Sequence, residues 1–203
     1  MAALESSPLV SPVLYQVERA SMWLVVEEAD RTQWEYTPFE HVGPLRFEMN
    51  HEQASAVMRT QGFDGKIYPG SPKHPGLDQR ADFRPATGGG YLPAVTVYYN
   101  TEGMLASVAV EAGCGPQVWM HGLGLVGRVP SELTRQWFEY ADEHDLDLTI
   151  SADGDAASDE LGFTVLAQRV GDILLTRPFF AIPERSWANT VYDSLPGDET
   201  HLL

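Results

Sequence analysis

Two hydrophobic periods alternate along this chain. Val95, Val97 and Tyr99 interleave with Thr96 and Tyr98, and beyond the turn "NTEG" come Leu105, Val108 and Val110. Period two on both sides of a glycine-bearing turn predicts a β-hairpin. "DLDLTI" (145–150) also alternates and predicts a strand, and "MWLVVEE" (22–28) predicts one near the N-terminus. Elsewhere the period is helical. Ala54, Val57 and Met58 share one face, as do Leu133, Trp137 and Tyr140 or Ala141, with Glu132, Glu139, Asp142 and Glu143 largely off that stripe. Asn50 with Gln53 three residues on has the form of a capping box, and Pro130 with Ser131 marks the second helix start.

The same pattern occurs twice. "HVGPLRFEMNHEQ" (41–53) aligns without a gap on "HGLGLVGRVPSEL" (121–133), placing His41 over His121 and Glu52 over Glu132. "VTVYYNTEGML" (95–105) aligns on "FTVLAQRVGDI" (163–173), with Gly103 over Gly171. Each copy reads loop, short strand, helix, connection, hairpin, which predicts an internal duplication. The expected fold is α+β: two related sub-domains, each short strand–helix–β-hairpin, with antiparallel sheets and helices packed on one face. The expected boundaries are an N-terminal extension with one strand (1–37), a first repeat (38–118), a second repeat (119–188) and a flexible acidic tail (189–203). The first repeat carries an excursion, 62–93, with five prolines and both lysines, Lys66 and Lys73. It reads as a long functional loop.

Chemical motifs narrow the picture mainly by failing. Gly122, Gly124 and Gly127 give G-x-G-x-x-G, but Arg128, Val129 and Pro130 separate the last glycine from the helix, and the later acids Asp145 and Asp147 fall at the beginning of their expected strand rather than at its end. These glycines read as a turn. "HEQAS" (51–55) has Ser55 where a zinc protease needs its second histidine. "ADGDAASDE" (152–160) has Ser158 where a calcium loop needs glycine. Cys114 stands alone, without a disulfide partner or an identified base, and reads as buried or incidental. No cofactor or metal is expected. With no signal-peptide pattern or membrane-length apolar run, a cytoplasmic location is expected.

Charge carries the strongest functional hint. The formal net charge is −16 over 203 residues. Such a surface disfavours nucleic acid and anionic membranes and favours a basic protein partner. Between Gln136 and Gln168 lie Glu139, Asp142, Glu143, Asp145, Asp147, Asp153, Asp155, Asp159 and Glu160, with no Lys or Arg among them. These residues, with Trp137 and Tyr140 as aromatic anchors, form the expected partner-binding site; the alternative is a solvated face.

"VGPLRFEMNHEQASAVM" (42–58) resembles the strand–Gly–Met–Thr–x–x–Glu–Val motif of BamE/SmpA-like repeats, with Glu48 in place of the glycine and Asn50 in place of the threonine. The chain is also similar to acidic tandem-repeat proteins of actinobacteria and to proteins of immunity type. The resemblance implies an α/β binding module without catalytic machinery. An outer-membrane assembly role is not expected, because the lipoprotein signal is absent. The expected function is a cytosolic immunity protein that neutralises a toxin through its acidic surface. The alternatives are an enzyme using the 62–93 loop as a lid over His41 or His121, and a decoy that mimics DNA phosphates.

Overall fold

In the computed structural model, which describes residues 25–69, 76–87, 92–182 and 188–200, most of the regular secondary structure is strand. The first half runs β1 (Gln33–Thr37), β2 (His41–Val42), β3 (Leu45–Arg46), α1 (His51–Thr60), β4 (Phe63–Pro69), β5 (Leu77–Pro85), β6 (Val95–Asn100) and β7 (Leu105–Val110). The second runs β8 (Gln117–Met120), β9 (Leu123–Gly124), α2 (Pro130–His144), β10 (Thr149–Ile150), β11 (Ala156–Ser158), β12 (Phe163–Val170) and β13 (Ile173–Ala181). The fold is α+β.

Two sheets organise these strands. The larger has the order β10-β11-β12-β13-β7-β6-β5-β4, antiparallel throughout. It consists of two four-stranded meanders whose last strands, β7 and β13, meet at the centre. The smaller has the order β3-β2-β1-β8-β9, with β1 and β8 parallel. The sequence pattern suggested a hairpin-sized sheet for each sub-domain. Instead each half contributes strands to both sheets, and both sheets are larger than expected. The boundary drawn between 118 and 119 falls inside β8.

Alternation along the large sheet separates two apolar faces. Val95, Val97, Val108, Val110, Phe163, Val165 and Phe180 join the main core, together with Ala54 and Met58 of α1 and Leu133 and Trp137 of α2. Both helices therefore pack on one face. Tyr98, Ala109, Phe179 and Ala181 point the other way, into a second cluster with Val191. Local chemistry sets the helix starts. The Asn50 side chain accepts the Gln53 N–H, and the Gln53 side chain accepts the Asn50 N–H, each at 3.0 Å, completing the capping box. Pro130 occupies the first turn of α2.

Three expectations about segments are corrected. Much of the 62–93 excursion is sheet and not loop: β4 and β5 form a hairpin paired from Phe63↔Pro85 to Pro69↔Gln79. Lys66 and Pro69 lie in β4, an edge strand, where such residues are tolerated and discourage further pairing, and Pro85 stands at the very end of β5. The strand expected at 22–28 begins outside the described residues; Val25–Glu27 form no strand and Glu28–Asp30 make a 3-10 turn. The first strand among the described residues is β1, central in the small sheet. Of the strand expected over 145–150 only Thr149–Ile150 forms, because Asp145 adopts the left-handed conformation that ends α2.

The segment 189–200, expected to be flexible, is docked on the second face. Val191 is fully buried and Glu199 nearly so. Arg177 holds Glu199 through two bonds, Nε to Oε2 at 2.7 Å and Nη2 to Oε1 at 2.8 Å. Its Nη1 also donates to Glu111 at 2.6 Å. Tyr98 Oη donates to Glu199 at 2.6 Å, and Gln168 Nε2 donates to Glu111 at 2.7 Å. At the surface Arg80 pairs with Asp198. Acidity suggested mobility, but these partners are remote in sequence and appear only once the sheet is formed.

Candidate functional site

The C-terminal end of α2 gathers the densest part of the acidic run. Asp145 has φ +56°, and its N–H and that of Leu146 both reach back to Ala141 O. Asp is among the few non-glycine residues that enter this region readily. The reversal leads the chain out through Asp147 and Leu148, enclosing a shallow cavity of ≈ 270 Å³ lined by Phe138, Ala141, Asp142, Asp145, Leu146, Asp147 and Leu148.

The aromatic in this cavity is not one the sequence pattern selected. Trp137 is fully buried, packed on Phe163 at 4.8 Å between ring centroids and edge-on to Tyr140. It belongs to the core and cannot anchor a partner. Tyr140 is half-buried, stacked between His121 at 4.9 Å and His144 at 4.0 Å. Phe138, one position from Trp137, is 49% exposed and faces Asp142, one helical turn on. Its signal in the sequence was a large apolar residue off the buried stripe.

The nine carboxylates divide by role. Asp142, Asp145 and Asp147 share the cavity with Phe138. Glu143 and Glu160 are exposed outside it, and Glu139 is exposed and paired with Arg135 at 2.6 Å. Asp159 accepts the Val191 N–H at 2.7 Å and so helps to dock the C-terminal segment. Asp153 and Asp155 lie around a different turn. Asp155 Oδ1 accepts the Ala167 N–H at 3.1 Å, and burial raises its carboxyl pKa above the usual range, with Asp153 adding to the shift.

The residues that could suggest catalysis are held structurally. His51 Nδ1 meets Tyr99 Oη at 3.1 Å and its Nε2 meets Ser55 Oγ at 3.3 Å. Burial, then the Arg59 charge, lowers the His51 pKa, and burial raises that of Tyr99. This chain of contacts fastens α1 to β6; among the described residues no carboxylate orients the imidazole in the manner of a nucleophile–base–acid triad. Gly122 (φ +80°) turns β8 into β9, and Gly127 (φ +68°) leaves room for the buried Arg31 guanidinium. That guanidinium donates to the carbonyls of Ala112, Gly113 and Gly115. Cys114 is half-buried, and burial followed by the Glu111 charge pushes its pKa up to about 11. Among the described residues no group of three His, Cys, Asp or Glu is arranged to hold a metal, and no helix is long and apolar enough to cross a membrane.

Comparison with known proteins leaves the site to be read on its own chemistry: no family model matches the chain, and no curated protein or solved structure is significantly similar to it.

Proposed function

We propose that the protein binds another, basic protein through the C-terminal end of α2 and acts without catalysis, as an immunity protein neutralising a cytosolic toxin would. The observation that carries this reading is Phe138, half-exposed in a cavity bordered by Asp142, Asp145 and Asp147. An aromatic that fills a partner's pocket, ringed by charge that steers the approach, is the usual form of a binding hot spot.

Helix electrostatics support the reading. The C-terminal end of a helix carries partial negative charge, so a carboxylate there costs about 0.3–1 kcal/mol where a lysine would stabilise by as much. Asp142, Glu143 and Asp145 all crowd that end of α2, with His144 as the sole basic group of the last turn. Solubility alone would be served equally by acids at the other end. Placed here, they sacrifice stability for a concentrated negative field, able to speed association with a cation-rich surface 10- to 10³-fold.

The duplication belongs to the same reading. Each half runs small-sheet hairpin, helix, four-stranded meander, and the hairpins 95–110 and 163–181 begin at the positions the self-alignment pairs. A duplicated scaffold with its second helix turned acidic explains why only α2 bears the patch.

The test is affinity capture from the source cell with the parent chain and with the Asp142→Lys/Asp145→Lys and Phe138→Ala variants. The reading expects a basic protein retained by the parent, lost by the variants, and inhibited one-to-one in its own activity by the parent chain. Equal retention by all three chains, or a captured partner that is not basic, refutes it.

A further inference from the structure

We propose that a second cavity, enclosed by the 151–155 turn, β12 and the C-terminal segment, receives the alkyl-cation end of one lysine or arginine side chain of the partner. This rests on the protein-binding reading above and names what a second point of contact would recognise.

The turn is built to hold a carboxylate in place. Ser151 Oγ accepts the N–H groups of Asp153 and Asp155 at 3.2 and 3.1 Å and donates to Asp155 Oδ2 at 3.4 Å. Tyr192 Oη donates to the Asp155 carbonyl at 2.7 Å, closing the C-terminal segment over the turn. Between them lies a cavity of ≈ 180 Å³. That is below the 300–1,000 Å³ range typical of drug-sized ligands and cofactors.

Its lining has two chemistries. Leu166, Leu195 and the Tyr192 ring supply an apolar wall; Asp153, Asp155 and Glu199 supply oxygens. An ionised carboxylate offers about four acceptor sites, and among the described residues Asp155 receives the Ala167 N–H and the Ser151 hydroxyl alone. Among the described residues no Lys or Arg lies within ion-pair distance of Asp153 or Asp155. Glu199 shares its one buried cation, Arg177, with Glu111, so this network too is net negative.

A small anion is repelled from such a cavity, and a neutral apolar group would leave carboxylates dehydrated without a partner. An alkylammonium or alkylguanidinium satisfies both halves, its stem on the leucines and its head on the oxygens. The raised carboxyl pKa of Asp155 is what a half-buried acid without a counter-ion shows.

The experiment is a titration of the ¹⁵N-labelled full chain with n-butylguanidinium, n-butylammonium and n-butanol, followed by amide shifts. Saturable shifts centred on Asp155, Ala167 and Tyr192 are expected with either cation and absent with butanol. Asp155→Asn should weaken them at least tenfold while the remaining spectrum stays folded. The exposed Asp153→Asn, which removes charge without touching the Ala167 bond, should weaken them several-fold. No saturation, an equal response to butanol, or unchanged binding by both variants overturns the proposal. A second arm measures the captured basic partner. Asp155→Asn should raise its Kd at least tenfold, and n-butylguanidinium should compete. If the small cation fills the cavity but Asp155→Asn leaves the partner's Kd unchanged, the cavity serves a free amine and the side-chain assignment is wrong. If partner binding depends on Phe138 and Asp142 alone, this inference fails while the protein-binding reading stands.

Discussion

Replacing Glu199 with glutamine tests whether the C-terminal segment belongs to the fold. Glu199 is 3% exposed, and its two oxygens receive both available arms of Arg177 and the Tyr98 hydroxyl. In Glu199→Gln one oxygen becomes an NH₂ facing guanidinium N–H groups, so donor meets donor and Arg177 loses its bidentate partner. Removing one member of a buried ion pair costs about 3–5 kcal/mol. Arg177 keeps its bond to Glu111 at 2.6 Å, which places the loss at the low end, about 3 kcal/mol. For a chain of this size that is a drop in Tm of about 6–12 °C, measurable by calorimetry at pH 7.

The pH dependence follows from the same contact. Burial alone would raise the Glu199 carboxyl, but the Arg177 guanidinium overrides it and holds the pKa below the usual range. A carboxylate depressed in the folded state contributes its full stability above the unfolded value, about 4.3, and loses it as the pH falls through the folded value. The parent and Glu199→Gln should therefore differ fully at pH 7, begin to converge below about pH 4, and coincide only once the pH is below the depressed folded value. A Tm change under about 2 °C at neutral pH would mean that Glu199 is solvated and the segment undocked.

Further outcomes separate core from surface. Trp137→Ala should cost about 3–5 kcal/mol of stability, read by urea titration, whereas the neighbouring Phe138→Ala should stay within about 0.5 kcal/mol and lose binding instead. Gly43→Ala should cost at least about 2 kcal/mol by the same measurement; its φ is +55° and an added Cβ would run into the Trp34 ring. Cys114 should react slowly with iodoacetamide at pH 8 and accelerate as the pH approaches 11, while a free peptide thiol reacts fast throughout.

What the sequence disclosed was local. The Asn50–Gln53 reciprocity spans three residues, Pro130 announces its own position, and the hairpin over 95–110 alternates around its glycine-bearing turn. Information failed where the deciding partner was distant. Pro69, Pro85 and Lys66 look like loop residues until β6 and β7 show that β4 and β5 lie at the end of a sheet. Acidity in 189–200 looks like mobility until Arg177, 22 positions before Glu199, and Tyr98, 101 positions before it, supply its contacts. In the site, the carboxylates Asp142, Asp145 and Asp147 were legible because they fall within six residues of one another. Trp137 was chosen over Phe138 because identity says which residue is larger, not which way a helix is turned; the buried stripe through Leu133, Trp137 and Ala141 contained the answer.

The seam between β7 and β13, registered through Ser107↔Ala181, Val108↔Phe180 and Ala109↔Phe179, also sets the order of events at the ribosome. A nascent chain that has emerged only as far as β7 holds a finished meander whose β7 flank is bare, in addition to the β4 edge that the full sheet keeps. That flank stays bare through seventy-odd residues of elongation, until β13 arrives to close it. A stalled or nicked product lacking β13 is thus a sheet with an open end, prone to stick to its own kind, and synthesis rate becomes a determinant of yield.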